Sequence, residues 1–379
     1  MIRNVFVLNV GSSSIKYQVL DVDTGEVFAA GLVERIGVPG SGVTDHEAAL
    51  AVVLAELAGV RIDAVGHRIV HGGTRFVQAT VIDDDVEREI EALADLAPLH
   101  NPPGLAGIRA ARAALPELTH VAVFDTAFHA TITPAARDYA IDAEVAARTR
   151  IRRFGFHGTS YRYVSRIAAE TLGRVGDPEL KLVALHLGNG ASATAIQGGR
   201  SVDTSMGMTP LEGLVMGTRS GDIDPAIPLY LAREHGFTIA QLDELLNKRS
   251  GLLGLAGRSD MRELVAAAEA GDLPAAHALD VYVHRLRHYI GAYAAVLGGI
   301  DALVFTAGVG ENSEVVRRRA VAGLEFLGLA VDPARNAVRS PEPRFISPEG
   351  CTTAVLVVPT NEELEIARET RAAAPPPTR

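Results

Sequence analysis

Two segments far apart in the chain follow one plan. Residues 6–25 read as strand, Gly-Ser-Ser-Ser turn, strand and an Asp-Thr-Gly reversal, and residues 182–204 read as strand, Gly-Asn-Gly-Ala turn, strand and a second polar reversal. Val10-Gly11 aligns with Leu187-Gly188, and Val19 with Ile196. A repeated hairpin asks for two similar sheets in one polypeptide. Each tip is made of residues with small side chains or none, which leaves backbone N–H groups and hydroxyls free to approach an anion closely. The alternative is two unrelated hairpins closed by ordinary tight turns, since Gly-Ser and Asn-Gly pairs are common there. Lys16 favours the first reading, because an isolated ammonium between Ile15 and Tyr17 in a strand has an anion as its natural partner.

Elsewhere, short β-branched or leucine-rich runs at 5–10, 15–21, 64–71, 120–124, 182–187, 192–197, 302–307 and 354–358 are separated by longer alanine-rich helical patterns. Strands alternating with helices predict an α/β architecture with mixed sheets. A length of 379 residues suits about two domains. Residues 372–379 carry three prolines, which end helix formation and predict a frayed tail.

Charge and cysteine content remove several classes of function. Lys plus Arg number 36 and Asp plus Glu 46, a net charge of −10 with no basic block to neutralise phosphates, so nucleic acid is not an expected partner. Cys351 is the only cysteine, which excludes an intrachain disulfide or thiolate cage and fits a cytoplasmic address. No apolar run approaches the ~18–20 residues needed to cross a bilayer. The apolar run Val5-Phe-Val-Leu8 is broken at Asn9 and is too short for a secretion signal.

The chemistry-bearing residues lie in short polar clusters at the ends of apolar runs, where binding loops sit on a rigid scaffold. They are Gly66-His-Arg-Ile-Val-His-Gly-Gly73, Pro98-Leu-His-Asn-Pro-Pro103, Phe124-Asp-Thr-Ala-Phe-His129, Arg152-Arg-Phe-Gly-Phe-His-Gly-Thr-Ser160 and residues 203–225, ending Gly217-Thr-Arg-Ser-Gly-Asp-Ile-Asp-Pro225. A further glycine-rich turn, Thr306-Ala-Gly-Val-Gly-Glu-Asn-Ser313, lies between a strand and a helix start, a favourable place for a nucleotide. It lacks the glycine at 313 that a dinucleotide fingerprint needs, and no P-loop sequence occurs.

A zinc reading of His67 with His71, or of His284 with His288, is disfavoured: Arg68 and Arg285 stand where a metalloprotease helix has Glu and would repel a cation. His284 and His288 read instead as a solvated helix face. A serine hydrolase would need Gly-x-Ser-x-Gly, which Gly11-Ser-Ser-Ser14 and Gly158-Thr-Ser160 do not supply. Phosphoryl transfer fits the whole set, since it demands positioning and charge neutralisation more than covalent chemistry.

Taken in order from Leu8-Asn-Val-Gly-Ser-Ser-Ser-Ile-Lys16 to Pro359-Thr-Asn-Glu-Glu-Leu364, these motifs resemble the acetate kinase family across nearly the full chain. That family belongs to the superfamily of sugar kinases, actin and heat-shock chaperone ATPases. The resemblance implies an α/β fold of two actin-like ATPase (ribonuclease H-like) domains of mixed sheet with flanking helices, and an active site in the interdomain cleft. The implied domains are 1–150, with a C-terminal helix after about 362 packing back on it, and a nucleotide-binding domain over 151–361. The implied reaction is reversible, direct in-line transfer of the ATP γ-phosphoryl group to acetate, with Mg²⁺ or Mn²⁺.

Carried over residue by residue, Asn9 and Glu362 serve the metal, and Lys16 and Ser12 the nucleotide phosphates. His186, Leu187, Gly188, Asn189 and Gly190 form a second phosphate loop. Asp260, Met261 and Arg262, with Gly308, Val309, Gly310, Glu311 and Asn312, contact the nucleoside. Arg68 and Arg219 match the arginines that grip carboxylate and phosphoryl group, His157 the transition-state histidine, and Asp125 the essential acid. Val70, Leu99, Phe156 and Pro210 match the acyl pocket. A carboxylate substrate is already ionised at neutral pH, so Asp125 is expected to orient Arg68 or a metal-bound water instead of taking a proton. A propionate kinase and a non-catalytic actin-like nucleotide switch are the alternatives. The family also implies a homodimer, for which the alanine- and glycine-rich stretch 290–299 is a candidate surface.

Overall fold

The computed structural model describes residues 2–38, 40–97 and 100–375. Two six-stranded mixed sheets dominate it. The first contains β1 (Asn4–Val10), β2 (Ser14–Asp21), β3 (Val27–Glu34), β4 (Ala64–Ile69), β5 (Thr80–Val81) and β6 (Thr119–Phe124), in the order β3-β2-β1-β4-β6-β5. The second contains β7 (Lys181–Leu187), β8 (Ala191–Gln197), β9 (Arg200–Thr204), β10 (Ala302–Thr306), β11 (Arg344–Phe345) and β12 (Ala354–Val357), in the order β11-β12-β10-β7-β8-β9. Read from the opposite edge, the second order repeats the first. In both sheets a three-stranded antiparallel meander continues into two parallel strands and ends on a short antiparallel edge. The duplicated hairpin therefore reports a duplicated sheet.

The two tips differ by one residue. Val10 pairs with Ile15 across four intervening residues, whereas Leu187 pairs with Ala191 across three. Val19 faces Phe6 and Ala195 faces Val183, so the counterpart of Val19 is Ala195 and not Ile196. The strands missed by sequence pattern, β3, β9, β5 and β11, are edge or near-edge strands. There half of each strand meets solvent, as the burial of Val27–Glu34 shows, and apolar runs are short.

The chain divides into two compact units. The first holds the residues up to Ala130, Gly158–Ser160 and the chain from Asn361; the second holds Thr131–His157 and Tyr161–Thr360. The first unit ends before residue 150 because the following segment bonds elsewhere. Arg153 donates to the carbonyls of Thr204, Ser205 and Met206, and the Phe154 and Gly155 amides donate to Gly207 O at 3.0 and 3.2 Å.

In the first unit, one core forms where Phe6, Leu8, Ile15 and Tyr17 meet Ala49, Leu50 and Val53 of the helix His46–Glu56. A second core joins Ile69, Phe124 and Phe76 to Ile90, Leu105 and Ile108. The C-terminal helix Glu362–Ala373 packs on β1, β4 and β6. Gly66 makes this possible, since a Cβ there would collide with Ile366 and Thr370. The helix continues through Ala373, so the first two residues of the expected tail are helical, and residues 376–379 of it lie outside the described residues. In the second unit, the 25-residue helix Leu273–Leu297 lies against β7, β8 and β9. Among the described residues no helix is long and apolar enough to cross a membrane.

Candidate active site

In the first unit, β1, β4 and β6 run parallel side by side, and their C-terminal ends carry Asn9, Arg68 and Asp125. This end of a parallel sheet is the usual ligand face of α/β proteins. The Asp125 amide donates to Ile69 O at 3.0 Å and continues the ladder one residue past β6. Arg68 donates to both Asp125 oxygens, at 2.6 and 3.3 Å, and to Asn9 Oδ1 at 3.3 Å. Thr159 Oγ1 also donates to Asp125, at 3.3 Å.

Glu362 joins the group because Asn361 caps the C-terminal helix, accepting from the Leu364 amide at 3.0 Å, which puts Glu362 and Glu363 in the first turn. Its carboxylate lies 3.8 Å from Arg68 Nε. Burial pushes the Asp125 carboxyl above the ordinary range; Arg68 opposes this and the negative charge of Glu362 adds to it. Burial raises Glu362 as well, against the pull of Arg68. Burial weakens the Arg68 cation, but the surrounding carboxylates more than offset this, so it stays charged. Lys16 pairs with Glu363 and is largely exposed. Ser12 is exposed at the hairpin tip, and Val70 is partly buried just beyond β4. Leu99 lies outside the described residues.

His67 and His71 hold no common site. His67 Nε2 lies 3.0 Å from His120 Nδ1, while His71 Nδ1 accepts from the Gly73 amide at 3.0 Å. Among the described residues no group of three or more His, Cys, Asp or Glu is gathered as a metal cage. His284 and His288 are exposed on one helix, as expected.

In the second unit, His157 ends its loop in the left-handed region, φ +58°, immediately before the helix Gly158–Thr171. Its ring stacks on His186, centroids 4.1 Å apart. A Cβ placed on Gly190 would lie 3.5 Å from His157 Nε2 and 3.6 Å from Arg219 Nη1, so both side chains face the space that this glycine leaves open. Arg219 donates to Pro210 O at 2.8 Å and makes no ion pair among the described residues. Burial alone lowers its pKa from the ordinary arginine value. A mostly buried cation without a counter-charge, beside an imidazole and a glycine, has the composition of an anion site.

A cavity of about 870 Å³ opens next to this group, with Gly188, Asn189, Asp260, Met261, Arg262, Gly308, Val309 and Asn312 in its wall. These are eight of the residues assigned above to the nucleotide. Others assigned with them do not line it. Leu187 and Gly310 are packed into the sheet core, and His186 is buried beneath His157. The Glu311 carboxylate accepts from the Ala307 and Thr360 amides at 2.8 and 3.0 Å, a structural task. The turn expected at 307–313 is a short helix, Ala307–Asn312. Leu252, Ser259, Val265, Tyr282 and Arg339 also line the cavity. Ser259 adjoins the Asp260-Met-Arg262 segment; the others stand apart from the assigned motifs, and only folding collects them. Phe156 is fully buried in this unit, and Pro210 lies partly exposed beside Arg219.

Two sheets of this repeated topology, one ending in a carboxylate-held arginine and the other beside a half-buried arginine and a cavity, define a protein of the two-domain actin-like ATPase class. The acetokinase family model matches residues 4–368. The acetate kinase of Leifsonia xyli subsp. xyli is 58% identical, covering 96% of this chain and 97% of its own. That of Streptomyces avermitilis is 57% identical, covering 97% and 96%. Among solved structures, the acetate kinase of Porphyromonas gingivalis superposes with a TM-score of 0.93 at 41% identity, covering 98% of this chain and 99% of its own. A propionate kinase from Francisella tularensis gives 0.92 at 39% identity, covering 98% and 100%. The chain belongs to the acetokinase family.

Proposed function

We propose that this chain is a phosphotransferase with a carboxyl acceptor, moving the γ-phosphoryl group of ATP to acetate to give acetyl phosphate and ADP, reversibly and by direct in-line transfer. The observation that carries the reading is Arg219, a cation with no ion pair among the described residues, where His157 Nε2 faces the same glycine. The chemistry must bring two anions together. At ~3–4 Å in a partly dried site their repulsion amounts to several kcal/mol, and fixed cations are the remedy. Arg219 and His157 serve the phosphoryl oxygens, whose charge shifts in the transition state. Arg68 serves the acetate carboxylate. Asp125 takes no proton in this scheme; its bidentate contact fixes the Arg68 fork in one orientation.

Gly188, Asn189 and the cavity wall hold the nucleotide, with Leu252, Met261, Val265 and Val309 as an apolar surface for the base. Ser12, at the first unit's hairpin tip, and Lys16, further along in β2, serve phosphate oxygens in this reading. Asn9 and Glu362 offer the hard oxygen donors that suit Mg²⁺ or Mn²⁺, and Glu362 is a partly buried carboxylate for which a cation is a fitting partner. Bound there, such an ion would neutralise phosphate charge. Val70, Phe156 and Pro210 belong to the acyl pocket in this reading.

Propionate is the second acyl substrate to test, given the Francisella relative and the ~1–3 kcal/mol that one methylene changes. We further propose a cytoplasmic location and a homodimer. The stretch 290–299 commits Ile290, Tyr293, Ala294 and Leu297 to its own unit. By contrast, the helices Ala226–His235 and Ile239–Lys248 bury no residue and expose Leu229, Tyr230 and Ile239, which makes them the better candidate surface. The primary test is acetate-dependent formation of ADP from ATP, with hydroxylamine trapping of the acyl phosphate and turnover compared on acetate, propionate and butyrate. Nucleotide binding without acetate-dependent ADP release would leave a nucleotide switch as the better reading.

A further inference from the structure

The catalytic reading above needs His157 to present an N–H from Nε2, because phosphoryl oxygens only accept hydrogen bonds. A neutral imidazole carries one proton, and the tautomer is set by whatever touches the other nitrogen. In this chain that partner is Ser192. His157 Nδ1 lies 2.8 Å from Ser192 Oγ, and Ser192 Oγ lies 2.6 Å from Tyr161 Oη. Ser192 and Tyr161 are both fully buried. Ser192 sits in β8 opposite His186, the residue whose ring supports His157 from below. Tyr161 is one helical turn after His157 in the helix Gly158–Thr171.

We infer that Ser192 and Tyr161 are positioning residues that fix His157 as the Nε2–H tautomer. Tyr161 O–H donates to Ser192 Oγ, Ser192 O–H donates to His157 Nδ1, and the imidazole proton is left on Nε2, facing Gly190 and the space shared with Arg219. Ser192 Oγ both accepts and donates in this order, and Tyr161 Oη, which takes a hydrogen bond from the His186 amide, does the same, so the chain polarises in one direction. The opposite order would put the proton on Nδ1 and point a bare Nε2 lone pair at an anion. The stack on His186 limits tilting of the ring, so one tautomer in one orientation meets the substrate.

This inference rests on the proposed function, and its test separates the two. The readout is the ¹H–¹⁵N long-range spectrum of ¹⁵N-histidine-labelled protein, which shows directly which nitrogen of His157 carries the proton. The wild-type chain should show Nε2–H. Ser192→Ala should shift His157 toward the Nδ1–H form and lower kcat roughly tenfold, as for one lost hydrogen bond acting at the transition state, with KM for ATP and acetate within about twofold. Tyr161→Phe, nearly isosteric, should act the same way more weakly and covers the case in which Ser192→Ala fails to fold. Ser192→Thr, which keeps the hydroxyl, should restore most of the rate. An unchanged Nε2–H signal with wild-type kcat in both variants would overturn the inference. If His157→Ala itself turned over normally, the functional reading would fail instead.

Discussion

Replacing Arg68 by Ala should damage stability and catalysis by separable routes. The side chain is about one-fifth exposed, whereas Asp125 is 2% exposed and takes two of its hydrogen bonds from Arg68. Removing the cation leaves a buried carboxylate with Thr159 as its remaining side-chain donor and Glu362 still nearby. Breaking a buried pair from one side costs about 3–5 kcal/mol, mostly the penalty of the stranded charge. For a unit of this size that corresponds to a fall in Tm of roughly 10 °C. Turnover should also fall by about 10²-fold or more, as for loss of one transition-state donor.

The double variant Arg68→Ala with Asp125→Ala removes the stranded charge, so it should regain much of the lost Tm while kcat stays low. The stability deficit of Arg68→Ala should also shrink as pH falls. Burial already raises the Asp125 carboxyl above its unfolded value, and without Arg68 it rises further, so acid restores the neutral form that a buried site tolerates. Differential scanning calorimetry between pH 5 and 8, alongside coupled-enzyme kinetics, measures both effects. Equal melting of single and double variants at every pH would show that Asp125 does not depend on Arg68. Near-normal turnover of a folded Arg68→Ala would remove the arginine from the chemistry.

The His67–His120 pair should make the protein acid-labile. Burial holds both imidazoles below the ordinary value, so the unfolded chain binds more protons, and stability should drop as pH falls below about 6.5, by up to ~1.4 kcal/mol per pH unit per histidine. His67→Gln should flatten that slope in a pH series of thermal melts, and an unchanged slope would refute the assignment. Gly190→Ala places a methyl in ordinary contact with His157 and Arg219, so the fold should survive while kcat falls about tenfold or more. Wild-type kinetics would mean the phosphoryl group passes elsewhere. Gly66→Ala should cost about 1–3 kcal/mol by forcing Ile366 and Thr370 away from β4, and amide exchange in the C-terminal helix should rise. Protection unchanged from wild type would show that the helix does not depend on this close approach.

The sequence alone determined the repeated sheet and the residue types available for chemistry. Buried strands carry continuous apolar runs whose length and β-branching betray them, and the small-residue tips between them follow from turn geometry. Arg68, Asp125, His157 and Arg219 were legible because each sits in a short polar cluster at a strand or helix end. Which partners each one keeps was decided by the tertiary structure, since those partners come from distant positions. Asp125 meets Arg68 across adjacent parallel strands, Glu362 arrives on a helix from the far end of the chain, and Ser192 reaches His157 from β8 of the second sheet. The same holds for Glu311, whose carboxylate turned inward to two amides, and for the boundary at Ala130, set by where Arg153 found its carbonyls. A residue's identity fixes what bonds it can make. Which of them it makes depends on long-range packing, which brings together groups that no local pattern relates.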